Sequence, residues 1–112
     1  MKLPNAASAY VDINKLRNYS LDPTHHRGKH KARLFSSILG FGPTDAEELK
    51  SILLSAVQQY EATPKPPTEY GNRYVVDLPI TRRQKSATIR SSWIIRPTED
   101  FPRLTSCYIV RR

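Results

Sequence analysis

The chain has 112 residues, the length of one domain, and its 18 Lys and Arg against 10 Asp and Glu give a formal charge of +8. No apolar run approaches the roughly 18 residues that span a bilayer, and the start, Met1 to Asn5, lacks the apolar stretch of a secretory signal. One cysteine, Cys107, excludes an internal disulfide and any multi-cysteine metal centre, so the expectation is a cytoplasmic domain with a basic surface and no membrane contact.

Charge divides the chain into three parts. Residues 1–43 carry seven basic and two acidic residues, 44–62 carry one and four, and 63–112 carry ten and four. Basic segments flanking an acidic helix argue against a disordered polycationic arm. The first part reads as helical. Asp12 is placed to cap a short helix from Ile13 to Tyr19, which Leu21-Asp22-Pro23-Thr24 breaks. A second helix opens at Gly28 and stops near Gly40, with Lys31, Leu34, Phe35 and Ile38 along one stripe. Thr44 and Glu47 have the spacing of a capping box for a third helix, whose inner face holds Leu49, Ile52, Leu53, Ala56 and Tyr60.

Three prolines within Pro64 to Pro67 exclude helix and central strand, so 63–69 reads as a stiff loop. Beyond it the apolar period becomes two, predicting strands at Arg73 to Ile80, Ala87 to Ile95 and Leu104 to Val110. Alternation puts Tyr74, Val76, Leu78 and Ile80 on one side, with Ile89, Trp93 and Ile95, and with Leu104, Tyr108 and Val110. Thr88, Arg90 and Ser92 then share the other side with Arg103, Thr105 and Cys107. The expected fold is α+β: one domain over 1–112, with a helical half (1–62), the Pro-rich loop (63–69) and a sheet half (70–112). The helices pack on one face of a three- to four-stranded antiparallel sheet. Trp93, Tyr108, Leu53, Ile52 and Phe35 are predicted to be buried together, with Arg90 on the opposite face.

The densest chemistry lies in His25-His26-Arg27-Gly28-Lys29-His30-Lys31-Ala32-Arg33, which holds all three histidines. Such a run is a solvated basic loop, a phosphate site at a helix start, or an acid–base site. His26 and His30 have the spacing of two metal ligands, but no third ligand lies nearby and the surrounding cations repel a divalent ion, so no metal and no cofactor is expected. Lys31 shares the stripe of Phe35 and Ile38, and so either snorkels to the edge or is held for a purpose. On the sheet, Arg90 with Thr88, and Arg103 with Thr105, supply a donor fork and hydroxyls suited to phosphate. Lys29, Arg82, Arg83, Lys85 and Arg103 are the candidate nucleic-acid contacts, and Cys107 has no nucleophile environment.

Beyond these patterns, spaced residues along the chain resemble a bacterial domain family of unassigned function. They include Leu3-Pro4-Asn5-Ala6, Leu21-Asp22-Pro23, His25, Gly28, Lys31-Ala32, Phe35 and Leu39-Gly40. The series continues with Tyr70-Gly71, Tyr74, Thr88, Arg90, Trp93, Pro102-Arg103-Leu104-Thr105 and Tyr108. Members of that family occur as small standalone proteins and as C-terminal modules of polymorphic-toxin-like proteins. The order of elements is also similar to the barnase, EndoU, colicin and RelE-type ribonuclease fold, an analogy of topology. That resemblance implies metal-independent RNA cleavage, with His25 as acid or base and Lys31 and Arg90 as phosphate electrophiles. Thr88, Thr105, Arg103 and Tyr108 are supporting candidates. His26 stands where the family commonly has proline, and no catalytic glutamate is evident. The implied partners are RNA and a small acidic antitoxin or immunity protein. A non-catalytic nucleic-acid-binding module and a basic protein-interaction domain are the alternatives.

Overall fold

The computed structural model describes residues 1–110. Helices come first and strands follow. After a 3-10 turn at Ala6–Ser8, helix α1 (Ile13–Lys15) widens without a break into a π-helical turn, Leu16–Ser20. Asp12 caps it as expected, its carboxylate accepting from Asn14 N at 2.9 Å. Helix α2 spans Lys29–Leu39 and ends at Gly40, whose φ of 70° lies in the left-handed region. A 3-10 turn at Pro43–Asp45 leads into helix α3, Ala46–Gln59. Its cap is not the Thr44–Glu47 box. Asp45 accepts from Gly42 N at 2.8 Å and donates its own N–H to Gly42 O at 2.9 Å, because Pro43 starts the turn early. Glu47 instead points outward toward Arg17, 4.0 Å away.

The strands are β1 (Ala62–Thr68), β2 (Gly71–Arg82), β3 (Lys85–Ile95) and β4 (Arg103–Val110), an antiparallel meander in that order. The fold is therefore α+β, with four strands. The proline segment read as a loop is β1, paired with β2. It sits at the sheet edge, where one side of the strand has no ladder to donate to and proline is tolerated. The N-terminal segment reaches across from this edge to the other. Ala62 N donates to Met1 O at 2.6 Å, while Tyr10 O accepts from Leu104 N of β4 at 3.0 Å. Leu3 and Val11, at either end of that crossing, are buried.

Phe35 and Leu39 of α2, and Leu49, Leu53 and Val57 of α3, bury against Val76, Leu78, Ile89, Trp93 and Ile109. Ile52 is only half-buried beside them. Ser91 also faces this core and is fully satisfied: its hydroxyl donates to Val76 O at 2.7 Å and accepts from the Trp93 indole at 2.9 Å. Tyr108 does not join this core. Ser92 pairs with Ser106 but Trp93 pairs with Leu104, so β4 has one residue more than β3 at Thr105. This β-bulge reverses the alternation beyond it. Cys107 and Ile109 turn inward, and Tyr108 turns to the face that carries Arg90, its cross-strand partner.

Tight turns join β1 to β2 and β2 to β3. Arg83 and Gln84 link β2 to β3 with φ of 52° and 67°, the type I′ geometry that favours Asn-Gly. Gln84→Gly is expected to raise stability by about 1 kcal/mol by removing the left-handed penalty of a side chain. Thermal denaturation followed by circular dichroism checks this, and an unchanged midpoint would show the turn to be unstrained.

Candidate phosphate-binding site at the edge of the sheet

The histidine loop is shaped by its own backbone. Asp22 accepts from Thr24 N and the Thr24 hydroxyl, at 2.8 and 2.6 Å, and these bonds hold its carboxyl below the usual range. The next turn folds around His25, whose Nδ1 accepts from both Arg27 N and Gly28 N at 3.1 Å. With Nδ1 serving as the acceptor, the neutral imidazole carries its proton on Nε2 and presents it as a donor. The ring packs edge-on against Tyr19, with centroids 4.6 Å apart, and His26 stacks on it at 5.3 Å. Gly28 permits this approach, since a Cβ there would lie 2.8 Å from Tyr19 O.

Tyr19 belongs to the π-helical turn and lines a cavity of about 330 Å³ with Lys15, Ser20, Lys31, Thr105, Ser106 and Cys107. The cavity lies between that turn, α2 and β4. Lys31, on the stripe of Phe35 and Ile38, reaches the edge of the fold. It is exposed, and its Nζ lies 4.6 Å above the ring of Tyr108. Cys107 closes the floor as a protonated thiol. Burial pushes it up to about 12, against a lesser lowering by the Ser20 hydroxyl.

Of the expected catalytic set, Lys31, Tyr108 and Arg90 form one chain of neighbours, and Thr105 shares the cavity wall with Lys31. His25 reaches the cavity only through Tyr19. Thr88 is elsewhere: it lines a separate cavity with Ile38 and Val110, near the C-terminal end of α2. The Thr105 hydroxyl donates to Ser92 O at 3.0 Å. Lys15 and Tyr19 escaped the sequence reading, although four-residue spacing on one helix was a usable signal.

The arginines are largely occupied. Arg90 forms a forked pair with Asp77 through two 2.9 Å bonds; this pairing first, and Tyr108 second, raises the pKa of its guanidinium. Arg103 grips Glu99 at 2.8 and 2.7 Å, between the rings of Tyr10 and Phe101. Arg82, only 9% exposed, binds Glu48 twice, donates to Leu39 O at 2.8 Å, and lies over Phe41. All three of its nitrogens are committed, so it is the tie between β2, α2 and α3 and not a free phosphate contact. Arg83 lies against Gly40, and Arg82, Arg83 and Lys85 together line a small cavity at the C-terminal end of α2. Lys29 is at the opposite end of that 11-residue helix, about 16 Å away. The five expected nucleic-acid contacts therefore do not form one patch. By contrast, Lys15, Arg27, Lys29, Lys31 and Arg33 enter no ion pair among the described residues.

Among the described residues, no three His, Cys, Asp or Glu side chains approach closely enough to hold a metal ion, and no helix is long and apolar enough to cross a membrane.

Two outcomes follow from this geometry. Gly28→Ala should cost about 1–3 kcal/mol by forcing the histidine loop off Tyr19, read by chemical denaturation. The carboxyl of Asp77 lies below its usual pKa because Arg90 donates to it, so this pair stabilises the fold above the ordinary carboxylate range. That stability drains as pH falls through the lowered folded value. Asp77→Asn should therefore flatten the acid limb of the stability curve below about pH 4. An unchanged acid limb would show the pair to be fully screened.

No curated protein and no solved structure matches the chain. The family match runs over residues 2–111, from the N-terminal crossing segment through β4, and by that match the chain belongs to the family described as a domain of unknown function, DUF6883.

Proposed function

We propose that the domain is a metal-independent RNA endonuclease, the toxin of a toxin–antitoxin or toxin–immunity pair. One arrangement carries this: Lys15 and Lys31, which enter no ion pair among the described residues, share a cavity with Tyr19, while His25 stands behind that ring with Nε2 as its donor. Polyanion binding wants cations not already neutralised, and these are such cations. Arg90, although paired with Asp77, adds a guanidinium beside Tyr108 on the adjoining face.

In the reaction the ribose 2′-oxygen attacks the neighbouring phosphorus and the bond to the 5′-oxygen breaks. The 2′-hydroxyl proton passes to solvent; His25, as the imidazolium, gives its Nε2 proton to the departing 5′-oxygen and is left as the neutral ring, which takes a proton back from solvent. Lys31 and Lys15 offset the negative charge that grows on the phosphoryl oxygens. In its folded tautomer His25 acts as a donor. To serve as the acid it must take up a second proton at Nδ1, and to serve as the base it must shift its proton there, so either role gives up both backbone bonds. A small acidic protein that covers the same lysines fits the role of antitoxin or immunity partner.

That same tautomer favours a second reading, a module that binds RNA without cutting it, because a neutral imidazole N–H can hydrogen-bond phosphate but is too weak an acid to protonate a leaving group. Purified protein should cut RNA in excess EDTA and leave a 2′,3′-cyclic phosphate, and a 2′-deoxy substitution at the cut site should block cleavage. His25→Ala should lower turnover by roughly a hundred- to ten-thousandfold with binding little changed. Lys31→Ala should weaken binding and reduce its salt dependence, whereas Lys50→Ala, on the acidic helix, should not. RNA binding without cleavage in the wild type would favour the binding module; a flat salt response would favour an acidic protein partner instead.

A further inference from the structure

A second cavity adjoins the first. It measures about 520 Å³ and is lined by Glu69, Tyr70, Ile94, Arg96, Thr98 and Thr105, among others. Thr105, the residue at the bulge of β4, is a wall of both cavities. The position of the cavity's upper lip is built in. Glu69 and Tyr70 form the two-residue tip between β1 and β2, with Thr68 opposite Gly71. Gly71 takes a φ of 137°, and a Cβ there would lie 2.1 Å from Ile95 O. The missing side chain lets the tip press down onto the end of β3. Tyr70 N also donates to the Thr68 hydroxyl at 3.2 Å. A held tip thus presents a tyrosine that is 69% exposed, the most exposed large aromatic among the described residues. Glu69, beside it, has no ion-pair or hydrogen-bond partner among them.

We infer that this cavity is a nucleobase subsite, selective for guanine, which receives the base of a nucleotide whose phosphate lies at Lys31. The inference rests on the RNA reading above and names its specificity. An exposed ring held on a rigid hairpin is a stacking platform, and stacking tolerates any base. Selection comes from Glu69. A carboxylate only accepts hydrogen bonds, through two oxygens side by side. Guanine offers it two adjacent donors, N1–H and the N2 amino group. Adenine and cytosine set an acceptor nitrogen beside their one amino group, and uracil sets its N3–H between two carbonyls. Ile94 supplies an apolar floor, and Arg96, partly neutralised by Glu99 at 3.9 Å, limits the repulsion between Glu69 and the phosphates.

The test separates this subsite from the cleavage reaction. Guanosine 3′-monophosphate and adenosine 3′-monophosphate are titrated into wild-type protein, Tyr70→Ala and Glu69→Gln, with binding read by calorimetry. RNA cut positions are mapped on the same three proteins. Both substitutions lie at an exposed turn, so the fold is retained, and Tyr70→Trp should keep the binding that Tyr70→Ala loses. The expected result is guanosine 3′-monophosphate bound in preference, about tenfold weaker binding of both nucleotides by Tyr70→Ala, and loss of the preference in Glu69→Gln. Wild-type cuts should fall beside guanosine, and Glu69→Gln should scatter them. Guanine-selective nucleotide binding without any RNA cutting supports the subsite and overturns the nuclease reading. Cutting with no base preference, unaltered by either substitution, overturns the subsite and leaves the nuclease standing. Equal binding of the two nucleotides by wild type also overturns it.

Discussion

The site depends on one extra residue in β4. Leu104 and Ile109 both face the core although they stand five positions apart, an odd interval that a regular strand cannot accommodate on one face. The bulge at Thr105 resolves the conflict by letting the strand change phase. Everything beyond it follows. Cys107 becomes a core residue under the Ser20 hydroxyl, and Tyr108 comes out beside Arg90, where Lys31 can lie over its ring. Thr105 itself is left as the partition between two cavities. A strand without the bulge would bury Tyr108 and expose Cys107, and Lys31 would have no aromatic face to rest on.

Charge in this protein is of two kinds. The arginines of the sheet are used for construction: Arg82 joins the β2–β3 hairpin to the end of α2 and the start of α3, Arg90 ties β3 to β2, and Arg103 holds the loop before β4 through Glu99. Guanidinium suits this work, because its planar fork meets a carboxylate with two bonds at once. Five cations of the helical half, Lys15, Arg27, Lys29, Lys31 and Arg33, have no such carboxylate among the described residues. A net charge of +8 therefore says less about a binding surface than the distribution of acids does. Free positive charge gathers around the histidine loop because Asp22, the acid within it, is turned onto Thr24.

That loop is held by backbone, not by side-chain pairing. Two N–H groups converge on one ring nitrogen of His25, Gly28 brings the loop against Tyr19, and the π-helical turn below provides the width that Tyr19 occupies. π turns occur frequently at functional sites, and this one carries Tyr19 and Ser20, two residues of the cavity wall. The constraint selects a tautomer and with it a chemical role, a hydrogen-bond donor in place of a base.

Local pattern was enough for most of the fold. The caps at Asp12 and Gly40, the Leu49, Leu53 and Ala56 line of α3, and the faces of β2 and β3 follow from periods and short-range sterics, whereas α2 buries Ala32, Phe35 and Leu39 and leaves Leu34 and Ile38 of the expected stripe half-buried. The proline segment could be excluded from the sheet's middle but not placed at its edge, since edge and loop impose the same local demand on proline. Local pattern failed at β4, where alternation assumes that each residue is opposed by one partner; whether two residues share a partner depends on the neighbouring strand. For the site, His25, Lys31, Arg90 and Tyr108 could be singled out by residue type, and Thr88 could not be set apart from them. Their separation is a matter of where along α2 each strand crosses, which no spacing within one strand encodes. Pairing of Arg82, Arg90 and Arg103 with acids 34, 13 and 4 residues away was equally out of reach. The sequence by itself determined which segments could be helix or strand, because those preferences act between near neighbours. Only the tertiary structure decided which cations remain free and which side chains meet, because contact and neutralisation are settled between residues that the chain brings together by folding.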